Sequence, residues 1–293
     1  MNVITSPSNA AVRAARKLAR PSARARTGGQ FLLEGPEGIR EALDAGHVPA
    51  TVLATERAGA RHGGLLNRAR TAGSQVLLVA EPLLAGVAQT ATPQGLVAVL
   101  PGVTRSLDGL PAAPRLVCVL AEVRDPGNLG TVVRAADAFG ADAVVTTRGS
   151  VDPQGPKAAR AAAGSLFHLP VVAGVPWRDL LPALRERRLQ LVGADPHAPA
   201  TVTAAPLEEP TALVLGNEAH GLPAEVRDDL DLVVRVPLAG RAESLNLAAA
   251  AAVLLYEAAR RRDADGPAGR APRTVAPRAA TRQRPPREAA VGR

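Results

Sequence analysis

Three stretches of this chain place polar side chains just beyond apolar runs, where a site could be built at the ends of strands. The first is Glu122-Val123-Arg124-Asp125-Pro126-Gly127-Asn128-Leu129-Gly130-Thr131-Val132-Val133-Arg134, following the apolar run 116–121. The second is Leu213-Val214-Leu215-Gly216-Asn217-Glu218-Ala219-His220-Gly221-Leu222, and the third is Val236-Pro237-Leu238-Ala239-Gly240-Arg241-Ala242-Glu243-Ser244-Leu245-Asn246. Ligands of open α/β sheets bind beyond the carboxyl ends of strands, where Gly216, Asn217 and Glu218 would lie. A Gly-rich turn entering a helix offers free amide donors, so a dinucleotide loop is the obvious rival reading of the first stretch. Its glycines, Gly127 and Gly130, lack the G-x-G-x-x-G spacing that reading needs. Asn, Glu, Arg and Ser in three loops, with no Cys/His cluster, point to a site that positions reacting groups without a metal.

Within these stretches the spacing carries further expectations. Asn128 and Arg134 are six residues apart and share no clean helical face, unless Asn128 lies in the turn before the helix. Ser244 reads as the N-cap of the last helix, a role compatible with a place in the site. Asn246 would then sit inside the first turn of an Ala-rich helix, where Asn is otherwise unhelpful, and so reads as functional. His47, His62, His168 and His197 are scattered without ligand spacing; His220 alone falls in a motif and is read as an ordinary loop histidine. Three Phe, one Trp and one Tyr are too few for an aromatic base-stacking platform.

The elements that must hold these loops follow from periodicity. Residues 1–100 alternate a basic amphipathic stretch at 8–19 with short runs at Phe31-Leu32-Leu33, Val52-Leu53-Ala54, Val76 to Val79 and Leu96 to Leu100, as a small α/β domain would. Residues 101–114 carry Pro, Gly and Asp-Gly signals without periodicity and read as a linker. Stronger runs follow at 116–121, 142–146, 169–173, 189–194, 211–215 and 232–236; continuous Val/Leu/Ala runs suit buried parallel strands. The last helix closes near Arg262, its arginines suiting the negative end of the dipole, which bounds a second domain at 115–262. The Pro/Arg/Ala mixture of 263–293 reads as a disordered basic tail.

Charge narrows the partner. Residues 1–30 hold Arg13, Arg16, Lys17, Arg20, Arg24 and Arg26 and no acid, while residues 261–293 hold nine arginines against three acids. The whole excess of +8 therefore sits at the two ends, which makes nucleic acid the first partner to consider and the six N-terminal bases the candidate RNA contacts. One cysteine, Cys118, inside an apolar run, excludes a disulfide framework and fits a reducing, cytoplasmic setting. The longest apolar run, Leu247 to Leu255, is far short of the roughly 20 residues a bilayer demands, so no membrane role is expected.

The sequence N-L-G-T-V-V-R, then L-G-N-E-A-H-G-L, then V-P-L-A-G-R-A-E-S-L-N resembles the three ordered motifs of the SpoU/TrmH family of RNA ribose 2′-O-methyltransferases across residues 116–260. Residues 1–100, with Ser6-Pro7-Ser8-Asn9 and Phe31-Leu32-Leu33-Glu34-Gly35, resemble more loosely the substrate-binding domain often fused ahead of it, which is similar to certain ribosomal RNA-binding proteins. Ala219 stands where many relatives carry Gly. The resemblance implies a trefoil-knotted parallel α/β domain, S-adenosylmethionine as methyl donor and a homodimer with both subunits bordering each site. It implies that Leu215, Gly216, Asn217, Val236, Pro237 and Leu245 hold the cofactor. It implies that Asn128, Arg134, Glu218, Ser244 and Asn246 act in catalysis or organise the site. Arg134 is expected at the 2′-hydroxyl, orienting it, since a guanidinium is a poor free base. The expected substrate is ribosomal RNA, with transfer RNA, an antibiotic-resistance methylase and a catalytically silent ribosome-assembly factor as alternatives.

Overall fold

The computed structural model describes residues 3–19, 29–88, 90 and 92–264. Arg20, Arg24 and Arg26 lie outside the described residues, as does the expected tail apart from residues 263 and 264, which complete the last helix.

Residues before 101 build a four-stranded sheet from β1 (Phe31–Glu34), β2 (Thr51–Ala54), β3 (Gln75–Leu78) and β4 (Leu96–Leu100), in the order β1-β4-β2-β3. Only β2 and β3 pair in parallel. Helix α1 (Ala10–Leu18) opens under Asn9, whose Oδ1 accepts from the N–H groups of Ala11 and Val12. It buries Val12, Ala15 and Leu18 against Leu32, Leu53, Val97 and Val99 on one sheet face. Helices α2 (Pro36–Asp44), α3 (Glu56–Arg61) and α4 (Gly63–Thr71) cover the other face, and α5 (Glu81–Ala85) joins the α1 side through Leu83 and Leu84.

The second sheet has seven strands, all paired in parallel: β5 (Leu116–Leu120), β6 (Ala143–Thr147), β7 (Val171–Val175), β8 (Gln190–Ala194), β9 (Ala200–Thr201), β10 (Thr211–Leu215) and β11 (Leu232–Arg235). The apolar runs at 142–146 and 169–173 form strands one and two residues later than their hydrophobicity suggests, and β9 is too short to show any pattern. Alternate side chains of β5 enter opposite cores: Leu116, Cys118 and Leu120 meet α6 (Pro126–Ala138), α7 (Pro156–Ala161) and α10 (Leu247–Ala264), while Val117 and Val119 meet α8 (Trp177–Glu186) and α9 (Ala224–Arg227). No helix among the described residues is long and apolar enough to cross a membrane.

Strand order is β7-β6-β5-β10-β8-β11-β9. From β5 the chain steps outward through β6 to β7, yet the later β10 returns to the opposite side of β5. The carboxyl ends of β5 and β10 thus flank a topological switch point, where a crevice opens because the flanking connections run apart.

The two sheets share one continuous core containing Phe31, Leu33 and Leu166. Phe167 lies between them, its ring centroid 5.2 Å from His47 and 6.4 Å from Phe31. His168 spans the junction, with Nδ1 2.8 Å from Asp137 Oδ2 on α6 and Nε2 3.4 Å from Glu41 Oε2 on α2. The stretch 101–114, expected as a linker, is itself anchored: the Val103 N–H donates to Gln154 Oε1 at 2.6 Å, and Arg105 bridges to Val172 beside β7.

Candidate active site

The loop leaving β5 is shaped by its backbone before any ligand is considered. Glu122 adopts φ of +56°, a left-handed conformation costly for a residue with a Cβ. It is held there from two sides: its N–H donates to Thr147 Oγ1 at 3.0 Å, and its carbonyl accepts from Asn217 Nδ2 at 2.9 Å. Asp125 then caps α6, accepting from the Asn128 N–H at 2.9 Å, with Pro126 at the first helical position. Asn128 is therefore inside the first turn of α6, not in the turn before it. That settles its relation to Arg134: the two project from different faces of one helix. Hydrogen bonding to the Asn128 N–H, opposed by partial burial and helped by Lys157 at 3.2 Å, holds the Asp125 carboxyl below its ordinary range.

The loop leaving β10 is closed by reciprocal bonds between Asn217 and Gly221, N–H to carbonyl, at 2.8 and 2.9 Å. Asn217 Oδ1 accepts from the N–H groups of Ala219 and His220, fixing the orientation of the amide. Gly216 is buried, and a Cβ there would come within 2.2 Å of the Gly221 backbone and 2.4 Å of the Leu222 nitrogen. The protein's own chain, not a ligand, demands glycine at this strand end. A bulky residue at 216 would disrupt the loop before it could obstruct a cofactor.

Between these loops runs a chain of directed hydrogen bonds. Glu218 Oε1 accepts from the Asp125 N–H and from Asn128 Nδ2, both at 3.1 Å, and Oε2 accepts from the Arg124 N–H at 3.1 Å. Asn128 Oδ1 in turn accepts from Asn246 Nδ2 at 3.0 Å. Asn246 Oδ1 accepts from the N–H groups of Ala248 and Ala249. Partial burial alone would raise the Glu218 carboxyl, but donors from Arg124, Asn128 and Asp125 outweigh it and bring it below its ordinary value. These residues line an open cleft of about 790 Å³ that also contains Glu122 and His220.

The last of these bonds corrects an expectation. Helix α10 opens at Leu247, so Asn246, not Ser244, is its N-cap, and the amide does two jobs at once. Ser244 is exposed and has no side-chain hydrogen bond among the described residues. Arg134 is likewise exposed and lies outside the cleft of its own chain. Of the positions matched to cofactor binding, Leu215 and Gly216 are buried, Asn217 and Val236 are half-buried, and Pro237 and Leu245 are exposed. The segment from 238 to 245 is unusual in that none of its backbone N–H groups finds a backbone acceptor among the described residues. On α1, Arg13 and Lys17 are exposed on one face, whereas Arg16 is half-buried with its guanidinium over Gly86.

A profile of the SpoU rRNA Methylase family matches residues 115–256, and one of the MRM3-like substrate binding domain matches residues 9–98. The 23S rRNA (guanosine(2553)-2′-O)-methyltransferase RlmP of Bacillus subtilis (strain 168) is 35% identical over 260 residues, covering 87% of this chain and 98% of the relative. This chain belongs to the SpoU rRNA methylase family. A 23S rRNA (uridine(2479)-2′-O)-methyltransferase of Streptomyces viridochromogenes is 33% identical over 242 residues, covering 80% of this chain and 84% of the relative. Two solved structures align closely. The AdoMet-bound rRNA methyltransferase from Sinorhizobium meliloti gives a TM-score of 0.79 at 30% identity, covering 88% of this chain and 97% of the other. The methyltransferase AviRb of Streptomyces viridochromogenes, in complex with AdoMet, gives 0.79 at 32%, covering 89% and 100%.

For a SpoU chain, the residues that reasoning from sequence passed over are those that act through the backbone. Asp125 had a readable signal, an Asp before Pro at a helix entry. Glu122 had none, because a left-handed glutamate is imposed by Thr147 and Asn217, distant in sequence.

Proposed function

We propose that this SpoU-family chain transfers a methyl group from S-adenosylmethionine to a ribose 2′-hydroxyl of ribosomal RNA, acting in the cytoplasm as a homodimer. The observation that carries the reading is the Glu218–Asn128–Asn246 chain, set at the switch point between β5 and β10. Such a chain fixes which polar atoms face the cleft, and orientation is what a hydroxyl nucleophile needs most. S-adenosylmethionine supplies, when bound, a methyl group already activated by its sulfonium. Residues 238–245 fit that cofactor: their free N–H groups and the exposed Leu238 and Leu245 suit an adenosine with both polar edges and apolar faces. The 216–221 loop would border the same space. The trefoil knot expected of the family belongs to this reading.

The homodimer rests on two features of one surface. Ala249, Val253 and Tyr256 are exposed at helical spacing on α10, next to a loop that exposes Leu238 and Leu245. Phe139, just past the end of α6, packs edge-on against Tyr256 at 5.8 Å, so the helix carrying Arg134 reaches this same apolar stripe. A second copy docked there would cover the stripe and bring its own Arg134 toward a cleft that the first copy leaves without an arginine from α6. Ribosomal RNA is favoured by the relatives from Bacillus subtilis and Streptomyces viridochromogenes, both described as acting on 23S rRNA.

The test is to map ribose 2′-O-methyl groups in total RNA from cells with and without the protein, then restore them with purified protein and cofactor. One or a few ribosomal positions should lose their methyl group and regain it; an unchanged ribosomal map would refute the reading.

A further inference from the structure

The methyl transfer proposed above requires that the 2′-hydroxyl proton go somewhere, and the motif residues present poor acceptors. Glu218 uses both carboxylate oxygens to accept from Arg124, Asp125 and Asn128 and is held below its ordinary pKa, which weakens it as a base. Asp125 is engaged in the same way, by the Asn128 N–H and Lys157. Both amides are neutral and spent in the bond chain, and a guanidinium keeps its proton. Glu122 turns its carboxylate toward the Arg124 guanidinium, 3.7 Å away.

That leaves His220, which borders the same cleft and is the only imidazole there. Its Nδ1 lies 3.1 Å from Asn217 Oδ1. The Asn217 amide cannot be turned the other way, because its Nδ2 donates to the Glu122 carbonyl and its Oδ1 accepts from two backbone N–H groups. An amide oxygen only accepts, so the proton of the neutral ring sits on Nδ1 and Nε2 carries the free lone pair. The backbone of the 217–221 loop thus selects the tautomer in which the outer ring nitrogen is basic.

We propose that His220 Nε2 is the acceptor of the 2′-hydroxyl proton. This inference rests on the methyltransferase reading of the site. In the step, the 2′-oxygen forms a bond to the methyl carbon as the bond from that carbon to sulfur breaks. The electron pair of that bond neutralises the sulfonium, the proton passes from the 2′-oxygen to Nε2, and the resulting imidazolium releases it to water. The charged groups lining the same cleft as the ring are Glu218 on its own loop and Glu122, Arg124 and Asp125 from the loop after β5.

The experiment uses the full-length protein, 23S rRNA from cells lacking it, and tritium-labelled S-adenosylmethionine. Single-turnover rates are measured from about pH 5.5 to about pH 9. For the wild type, the rate should rise with pH at unit slope to a plateau. His220→Gln should lower the plateau on the order of 100-fold or more and abolish that limb, with cofactor affinity unchanged by calorimetry. Added imidazole should restore part of the rate to His220→Ala, which a merely structural role would not permit. A His220→Gln protein with the wild-type pH profile would overturn the proposal, as would loss of the limb in Glu122→Gln instead. A wild-type protein that binds cofactor yet methylates no ribosomal RNA would overturn the proposed function, and this inference with it.

Discussion

Asn246 donates its side-chain Nδ2 to Asn128 Oδ1 at 3.0 Å, tying the entry of the last helix to the entry of the first helix of the seven-stranded unit. The same side chain caps α10 through its other atom, so capping and site assembly are separable by one atom exchange. Asn246→Asp keeps an oxygen for the Ala248 and Ala249 N–H groups and loses the only donor. It also adds a carboxylate to a cleft that already holds those of Glu122, Asp125 and Glu218. The expected result is a melting temperature close to wild type with methyl transfer reduced on the order of 100-fold, the scale of a lost positioning group. Parallel melting curves and single-turnover rates check it; equal loss in both would contradict the division.

Arg134 is exposed and is not among the residues lining the cleft of its own chain, so the proposed homodimer assigns its effect to the partner's site. Arg134→Ala should retain S-adenosylmethionine binding and lose methyl transfer on the order of 100-fold or more. Mixing unfolded Arg134→Ala and Asn128→Asp chains and refolding them together should recover activity above either parent, because a mixed dimer contains one site with both wild-type residues. No recovery, with mixed dimers shown to form, would place Arg134 in its own subunit's site.

Stability should carry a specific acid signature from Glu257, which is nearly buried on α10. Bonds from Arg260 Nε and Nη2 at 2.8 and 2.7 Å, and from Arg261 Nε at 3.0 Å, lower its pKa from 4.5 to about 2 against the opposing effect of burial. A carboxyl depressed on folding stabilises the fold above its unfolded pKa, and that contribution fades as pH falls from 4.5 towards about 2. Glu257→Gln should cost about 1 kcal/mol near neutrality, the arginines being partly open to solvent, and the difference from wild type should shrink across that acid range. Urea titrations at several pH values would show it.

RNA affinity is expected to depend on Arg13 and Lys17, exposed one turn apart on α1. Deleting the N-terminal unit would be a poor test, since Phe31, Leu33 and Glu41 take part in the junction with the larger sheet. Replacing both bases with alanine should weaken RNA binding at low salt and reduce the slope of affinity against salt by about 1 to 2, the release expected for two phosphate contacts. An unchanged slope in filter binding would show that α1 does not meet phosphate.

Much of the architecture was legible because burial on both faces leaves a strong trace: the runs at 116–121 and 211–215 became adjacent parallel strands. Site geometry was less legible, for a physical reason. Ser244 and Asn246 are both good cap residues, and which of them caps follows from the start of α10 at Leu247, a boundary that neither residue type marks. Gly216 looked like a glycine cleared for a ligand, whereas it is cleared for Gly221 and Leu222. His220 looked like one loop histidine among five, because the tautomer that makes it useful is set by Asn217 and Glu122 together.

Because Phe167 and His168 clamp the four-stranded unit to α6, the span from α1 to the cleft is a fixed length. With α1 on RNA, as expected above, the molecule would work as a caliper. The nucleotide at the cleft would then be set by the three-dimensional distance between two points of a folded RNA. A misplacement of about 1 Å can cost on the order of 100-fold in rate. Lengthening or shortening the RNA helix between the two points would silence the target while leaving every contacted nucleotide intact.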